Sequence, residues 1–180
     1  MVVGLSTSSP VASLAVFEDD GAILFRAARP AQGRASEACL GMLAESGVDP
    51  AVVTLWLADL GPGSFTGTRV GVVMAKTFAW TFGREVGGLA SFDLIAPQEV
   101  VAIPNRKNEW LVRVPGEAPK LVPAGEVEGV GYAPGLAEEA FPDAERFGLW
   151  LSAIDRIPPE ALVPGYVVPP SISTPKRAIR

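Results

Sequence analysis

Histidine is absent from the 180-residue chain, and Cys39 is its one cysteine. Without an imidazole there is no Ser-His-Asp or Cys-His catalysis, no histidine metal site and no histidine acid–base chemistry. A single thiol excludes an internal disulfide framework and a cysteine zinc cluster. Long apolar runs are missing too: the best stretch, Val70 to Phe82, contains Lys76 and falls short of a membrane span. Basic charge is scarce, with 15 Lys and Arg against 20 Asp and Glu and a net charge of −5. Such a chain lacks the basic footprint needed to grip nucleic acid alone. Met1 to Phe17 carry no charge, but they have no basic n-region and are broken by Ser6, Thr7, Ser8, Ser9, Pro10 and Ser13. They do not read as a signal peptide, so the expected compartment is the cytoplasm, with no membrane association.

Apolar residues make up 48% of the chain and charged ones 19%, which excludes global disorder. Proline marks the organisation. Four of the 17 prolines (Pro10, Pro30, Pro50, Pro62) precede residue 97, and 13 lie in residues 97–180. Because proline lacks a backbone donor and fixes φ, the second part is expected to have short elements and many turns. This places an N-terminal lobe at residues 1–96 and a short C-terminal lobe at 97–180.

In the first lobe, Val2 to Leu5, Val11 to Phe17 and Ala22 to Ala28 read as three antiparallel strands, with Asp20-Gly21 turning between the last two. Ser36 to Ser46 reads as a helix with Ser36 as N-cap and Gly47 as its stop. Leu55 to Leu60 is a strand, Thr68 to Phe82 a helix stopped by Gly83, Val86 to Leu89 a strand, and Ser91 caps a last helix to Ala96. That order is a mixed α/β plan whose fourth strand runs parallel to a neighbour.

The most informative stretch lies between a strand and a helix: Gly61-Pro62-Gly63-Ser64-Phe65-Thr66-Gly67-Thr68-Arg69. Its glycines allow close backbone approach, and the helix head offers unpaired N–H groups suited to an anion such as phosphate. The alternative is a tight strand-to-helix turn with no ligand. It is not a P-loop, since Thr68-Arg69 follows Gly67 where Lys-Ser/Thr is needed. Nor is it G-x-S-x-G, because Gly63 directly precedes Ser64. Arg69 either orders this loop, reaches a partner or stands in solvent. Asp59 and Asp93 stand as isolated carboxylates with no spacing that marks an acid–base pair.

Gly61 to Ala79, GPGSFTGTRVGVVMAKTFA, resembles the signature of the bacterial TsaB (YeaZ) family, GPGSFTGLR followed by a Val/Ile-Gly helix with Ala-Lys-Gly. Val2 to Val16 resembles that family's opening strand pair, and Ser36-Glu37 stand where it has His-Ser-Glu. Val101 to Glu109 resemble its Asp-Ala-Arg-Arg-Gly-Glu segment, and Pro164 to Val168 its Pro-x-Tyr-Leu-Arg. The resemblance implies the two-lobed α/β fold of actin, sugar kinases and the Hsp70 ATPase, here with a shortened second lobe. It implies a non-catalytic subunit that works with a TsaD-like partner, and a TsaE-like ATPase, to make threonylcarbamoyladenosine beside the anticodon of tRNA. Contact with tRNA would be indirect. No residue is expected to be catalytic or to bind metal, no cofactor is expected in this chain alone, and nucleotide would bind only within the complex.

Departures from the family point the same way. The aspartate that helps place Mg²⁺ and phosphate at the end of the first strand is replaced: Asp-Thr-Ser becomes Ser6-Thr7-Ser8, and a hydroxyl is a weak substitute for a carboxylate. Ser6 is expected to cap its own turn. Pro104 and Asn105 replace Asp-Ala, and Val168 stands where Arg is usual.

Two apolar stripes cover the long helix: Val70, Val73, Met74 and Phe78 on one, Val72, Ala75, Ala79 and Phe82 on the other. A helix apolar on two faces must bury both. The expected partner interface is Glu37, Leu40 and Leu43 with Val70, Val73, Met74, Thr77 and Phe78, forming a four-helix contact with the partner or a homodimer when alone. The second lobe could instead cover that stripe. Glu37 either caps its helix or contacts the partner. Trp110 and Trp150 read as core or lobe-interface residues, and the tail Lys176 to Arg180 as solvated. Two other functions stay open: a degenerate homodimeric interaction module, and a small nucleotide-dependent kinase or ATPase of the same fold.

Overall fold

Two five-stranded sheets, with helices on one face of the first, organise the computed structural model, which describes residues 1–106 and 108–167. The first sheet is built from β1 (Val2–Ser6), β2 (Val11–Phe17), β3 (Ile23–Pro30), β4 (Leu55–Asp59) and β5 (Glu85–Leu89) in the order β3-β2-β1-β4-β5. β1 pairs antiparallel with β2 and parallel with β4, and β5 continues the parallel half. β1 and β4 are buried throughout, as near-continuous apolar runs in covered parallel strands should be.

The helices α1 (Ala35–Ser46) and α2 (Phe65–Phe82) cover one face. Val3, Leu5, Leu14 and Trp56 from the sheet meet Cys39, Met42, Val72, Ala75 and Ala79 from the helices in one core cluster. Both helices end at a left-handed glycine, Gly47 and Gly83. Their starts differ from the sequence expectation. α1 begins at Ala35 with Arg34 at the N-cap and no side-chain cap, so Ser36 is inside the helix. α2 begins at Phe65, three residues before Thr68, because the Ser64 hydroxyl accepts the Gly67 N–H at 3.1 Å and caps it.

α3 (Ser91–Ile95) leads to the second sheet, formed by β6 (Val101–Pro104), β7 (Glu109–Arg113), β8 (Lys120–Pro123), β9 (Val130–Gly131) and β10 (Glu138–Glu139) in the order β10-β9-β6-β7-β8. Its strands are short, as the proline density predicts. Trp110 is in its core, 4% exposed, and Trp150 is half-buried. The chain leaves the first sheet near residue 96 and then comes back to it. Residues Ala144–Trp150 form a 3₁₀ segment whose Phe147 packs with Val2, Phe17, Leu55 and Leu57 on the face opposite the helices. Gly4 makes this return possible: a Cβ there would lie 2.5 Å from the Phe147 ring. Ile157 then bridges Val86 at the sheet edge, and Leu162 enters the helix-side core. Val168 and the basic tail from Lys176 lie outside the described residues.

Arg113 fastens the two lobes at the crossing. It is 8% exposed, and its guanidinium donates to the carbonyls of Pro97 at 2.7 Å, Ala96 at 2.8 Å and Phe92 at 3.1 Å. A cation at the C-terminal end of α3 complements the helix dipole and adds donors to carbonyls there, Phe92 O also accepting the Ala96 N–H. Arg113→Ala is expected to cost about 2–3 kcal/mol, since buried carbonyls lose charge-assisted donors. Urea denaturation measures it, and an unchanged midpoint would refute the clamp.

Candidate functional site

The C-terminal ends of β1 and β4 meet the heads of α1 and α2 at the edge of a cleft of about 800 Å³ between the lobes. Beneath the cleft, behind the glycine loop and outside its lining, is Asp59, the last residue of β4 and fully buried. Its Oδ2 accepts the hydroxyls of Ser6 at 2.7 Å and Ser8 at 2.5 Å. Its Oδ1 accepts the Ser91 hydroxyl at 2.6 Å and the Gly61 N–H at 2.9 Å. Burial pushes the Asp59 carboxyl up, while the hydroxyls of Ser8, Ser91 and Ser6 and the Gly61 N–H draw it back down. Ser6 therefore does not cap its own turn; its hydroxyl is committed to Asp59. Nor is Asp59 isolated, because one carboxylate ties together β1, β4, the glycine loop and α3. The sequence carries a signal for this, an acid closing an otherwise apolar five-residue strand directly before a loop, which the search for paired carboxylates passes over.

The glycines of the loop serve close packing within the chain. A Cβ on Gly63 would overlap the Ser8 carbonyl oxygen, and one on Gly67 the Thr7 carbonyl oxygen. Ser64 N–H donates to Ser8 O at 2.6 Å, and the Thr7 hydroxyl donates to Gly67 O at 2.7 Å. The Gly61–Pro62 peptide is cis, and Ser91 N–H donates to Gly61 O at 2.8 Å. Phe65 and Thr66 are exposed on the first turn of α2.

Because α2 starts at Phe65, Arg69 is in its second turn. Its guanidinium lies 3.9 Å over the Phe65 ring, and its Nε donates to Tyr166 Oη at 2.9 Å. Phe65 and Tyr166 rings are 5.4 Å apart. Arg69 is thus clasped by the returning C-terminal segment, which Lys76 also holds by donating to Leu162 O at 3.0 Å.

The expected interface residues divide by face. Glu37, Leu40 at 50%, Val73 at 58% and Thr77 are exposed, and Val70 and Met74 are half-buried. Leu43 is in the core cluster, and Phe78 stacks on buried Trp56 with centroids 4.5 Å apart. Those two point to the sheet, because a helix of this width turns residues one step off the stripe inward. Trp80, not among the expected residues, is the most exposed large apolar side chain among the described residues, at 73%. Cys39 is buried, its thiol pushed up to about 12 by burial. Among the described residues there is no group of three or more His, Cys, Asp or Glu placed to hold a metal, and no helix is long and apolar enough to cross a membrane.

The sheet orders, the cleft and the returning segment are those of a two-lobed α/β protein of the actin-like class. Solved structures agree over nearly the whole chain. A Pseudomonas aeruginosa protein described as similar to peptidase YEAZ superposes with a TM-score of 0.80 at 19% identity, covering 93% of this chain and 99% of its own. YeaZ from Pseudomonas aeruginosa superposes at 0.72 and 20% identity, covering 92% and 99%. At these identities the likeness is one of fold. In sequence, residues 26–112 match the family model described as TsaD, tRNA N6-adenosine threonylcarbamoyltransferase. The chain is also 33% identical over 63 residues to the tRNA threonylcarbamoyladenosine biosynthesis protein TsaB of Bacillus subtilis (strain 168). That alignment covers 35% of this chain and 28% of the curated relative's length. Within that class the chain is TsaB-like in sequence over those 63 residues and YeaZ-like in fold over nearly its whole length.

Proposed function

We propose that this chain is a non-catalytic TsaB-like subunit that pairs with a TsaD-like partner in threonylcarbamoyladenosine modification of tRNA. The observation that carries the reading is the outer face of the helical layer. Val73 and Trp80 on α2 and Leu40 on α1 are 58%, 73% and 50% exposed, although both helices already cover their own sheet. A lobe that keeps a second apolar face after its core is complete is suited to docking another helical layer. The lack of histidine, the inert Cys39 and the sealed Asp59 support a scaffolding role. A TsaE-like ATPase would act on the assembled complex, and the same face would pair two copies when the partner is absent.

The test is co-purification with the host's TsaD-like protein, followed by reconstitution of tRNA modification with and without this chain. Modification is expected to need both proteins. Full modification in its absence, or nucleotide hydrolysis by this chain alone, would remove the reading.

A further inference from the structure

The outer face of α2 is apolar from its head to its last turn. Phe65, Val73 and Trp80 are exposed along it, and Phe65, Thr66, Arg69, Val70, Val73 and Met74 line a groove of about 380 Å³. The described residues come to an end beside the head of that face. Leu162 enters the core, and Gly165 N–H donates to Leu60 O at 2.8 Å. Tyr166 then holds Arg69, with its ring 5.4 Å from that of Phe65. The chain beyond Val167 therefore departs from the first turn of α2. It continues as Val168-Pro169-Pro170-Ser171-Ile172-Ser173-Thr174-Pro175, which carries no charge. Lys176-Arg177-Ala178-Ile179-Arg180 follows, with three cations and no acid.

Length and charge both match this segment to α2. Pro169, Pro170 and Pro175 favour an extended polyproline path, a form that docks on aromatic and apolar surfaces. From Val167 to Lys176 such a path covers about 28 Å, and the 18 residues of α2 cover about 27 Å. An uncharged stretch that starts at Phe65 thus delivers its cations to the far end of the helix. The last turn of α2 has no basic residue of its own, and its C-terminal pole is negative. Glu85 is exposed just beyond that turn, and the open ring of Trp80 suits a cation. The neighbouring Arg84 donates to Ala51 O at 3.1 Å instead.

We propose that residues 168–180 lie along the outer face of α2 in the unpartnered chain. Val168 to Pro175 cover the groove and Val73, and Lys176, Arg177 and Arg180 meet Trp80 and Glu85. A partner's helical layer then has to displace the segment, which makes it a regulator of the docking face. That consequence, unlike the placement itself, rests on the pairing reading above.

The experiment attaches a nitroxide spin label to Ser173→Cys in the full chain. Native Cys39 is buried, its thiol pushed up to about 12, so the label goes to the new cysteine. Amide NMR then reads which signals the label broadens, and the same spectra report that the variant is folded. Loss of signal is expected at Val73, Thr77 and the Trp80 indole, while Lys120 and Leu121 on β8 stay sharp. Spin-labelled chains mixed with separate isotope-labelled ones should broaden nothing, because the contact lies within one chain. Lys176→Glu with Arg177→Glu should restore the Trp80 signal, more completely at low salt than at high. Saturating TsaD-like protein should release all three α2 signals from the label. If that protein fails to bind the wild type, the pairing reading falls and the spin-label result still decides the placement. Sharp α2 signals, broadening confined to the cleft residues Asn105 and Arg106, or broadening only between chains would each overturn the proposal. So would a Trp80 signal that charge reversal leaves unchanged.

Discussion

Asp59→Ala is expected to lower stability by about 3 kcal/mol, or a fall in Tm of about 6–12 °C for a chain of this size. The substitution strands three buried serine hydroxyls and the Gly61 N–H that now converge on one carboxylate. Buried donors left without acceptors each cost about 1–3 kcal/mol, and this sum is partly offset because the desolvated carboxylate is gone as well. The loss should be local in origin. Ser8 also accepts Ser64 N–H, so the glycine loop and the head of α2 lose their anchor together. Thermal unfolding measures the cost, and hydrogen exchange at residues 61–67 locates it. A variant that melts with the wild type and keeps those amides protected would show that Asp59 holds nothing in place.

The sign of the pH dependence follows from the same geometry. Burial raises the Asp59 carboxyl above its unfolded value. A raised group contributes stability that is fully present below the unfolded pKa and is lost as pH rises through the folded one. Asp59→Asn keeps the shape and cannot ionise, and the serine hydroxyls can rotate to accept from its amide. Its stability relative to wild type should therefore improve as pH climbs from about 4 towards neutrality. Parallel stability curves for the two proteins would rule this out.

Val73→Asp is expected to weaken partner pairing by at least about 100-fold while changing stability by no more than about 0.5 kcal/mol. At 58% exposure the new carboxylate costs nothing in the free chain, and it becomes an unpaired charge only once a partner excludes water. Phe78→Asp, one turn further on and half-buried, should behave differently. Its ring stacks on Trp56, so the carboxylate enters the core and costs at least about 2 kcal/mol before any partner arrives. Sedimentation of each variant mixed with the TsaD-like protein, beside its own melting curve, separates the two effects. Unchanged sedimentation of Val73→Asp would remove α2 from the interface.

How far the sequence carried this reading depends on the range of the interactions involved. The five strands of the first sheet, its two long helices and the GPGSFTG loop were legible because each rests on local chemistry: apolar runs, glycine stops and a serine cap. The head of α2 was read three residues late because the loop motif and the helix overlap. Capping by Ser64 depends on how the loop lies against Ser8 rather than on residue type. The two stripes of α2 were visible as stripes, but which side chain touched the sheet was not, and Phe78 proved to belong to Trp56.

Residue types alone determined that the chain has no histidine chemistry, no internal disulfide framework, a net charge of −5 and a mixed α/β plan. Tertiary structure alone decided that residues 144–162 return to the first sheet, that Arg69 is clasped by Tyr166, and that Asp59 is sealed beneath the glycine loop. The deciding contacts join distant positions: Asp59 and Ser91 are 32 apart, Arg69 and Tyr166 are 97 apart, and Phe147 packs over Gly4 from the far end of the chain. Composition and spacing report on neighbours along the chain, whereas a buried charge or a clasped cation is set by whichever distant groups folding brings against it.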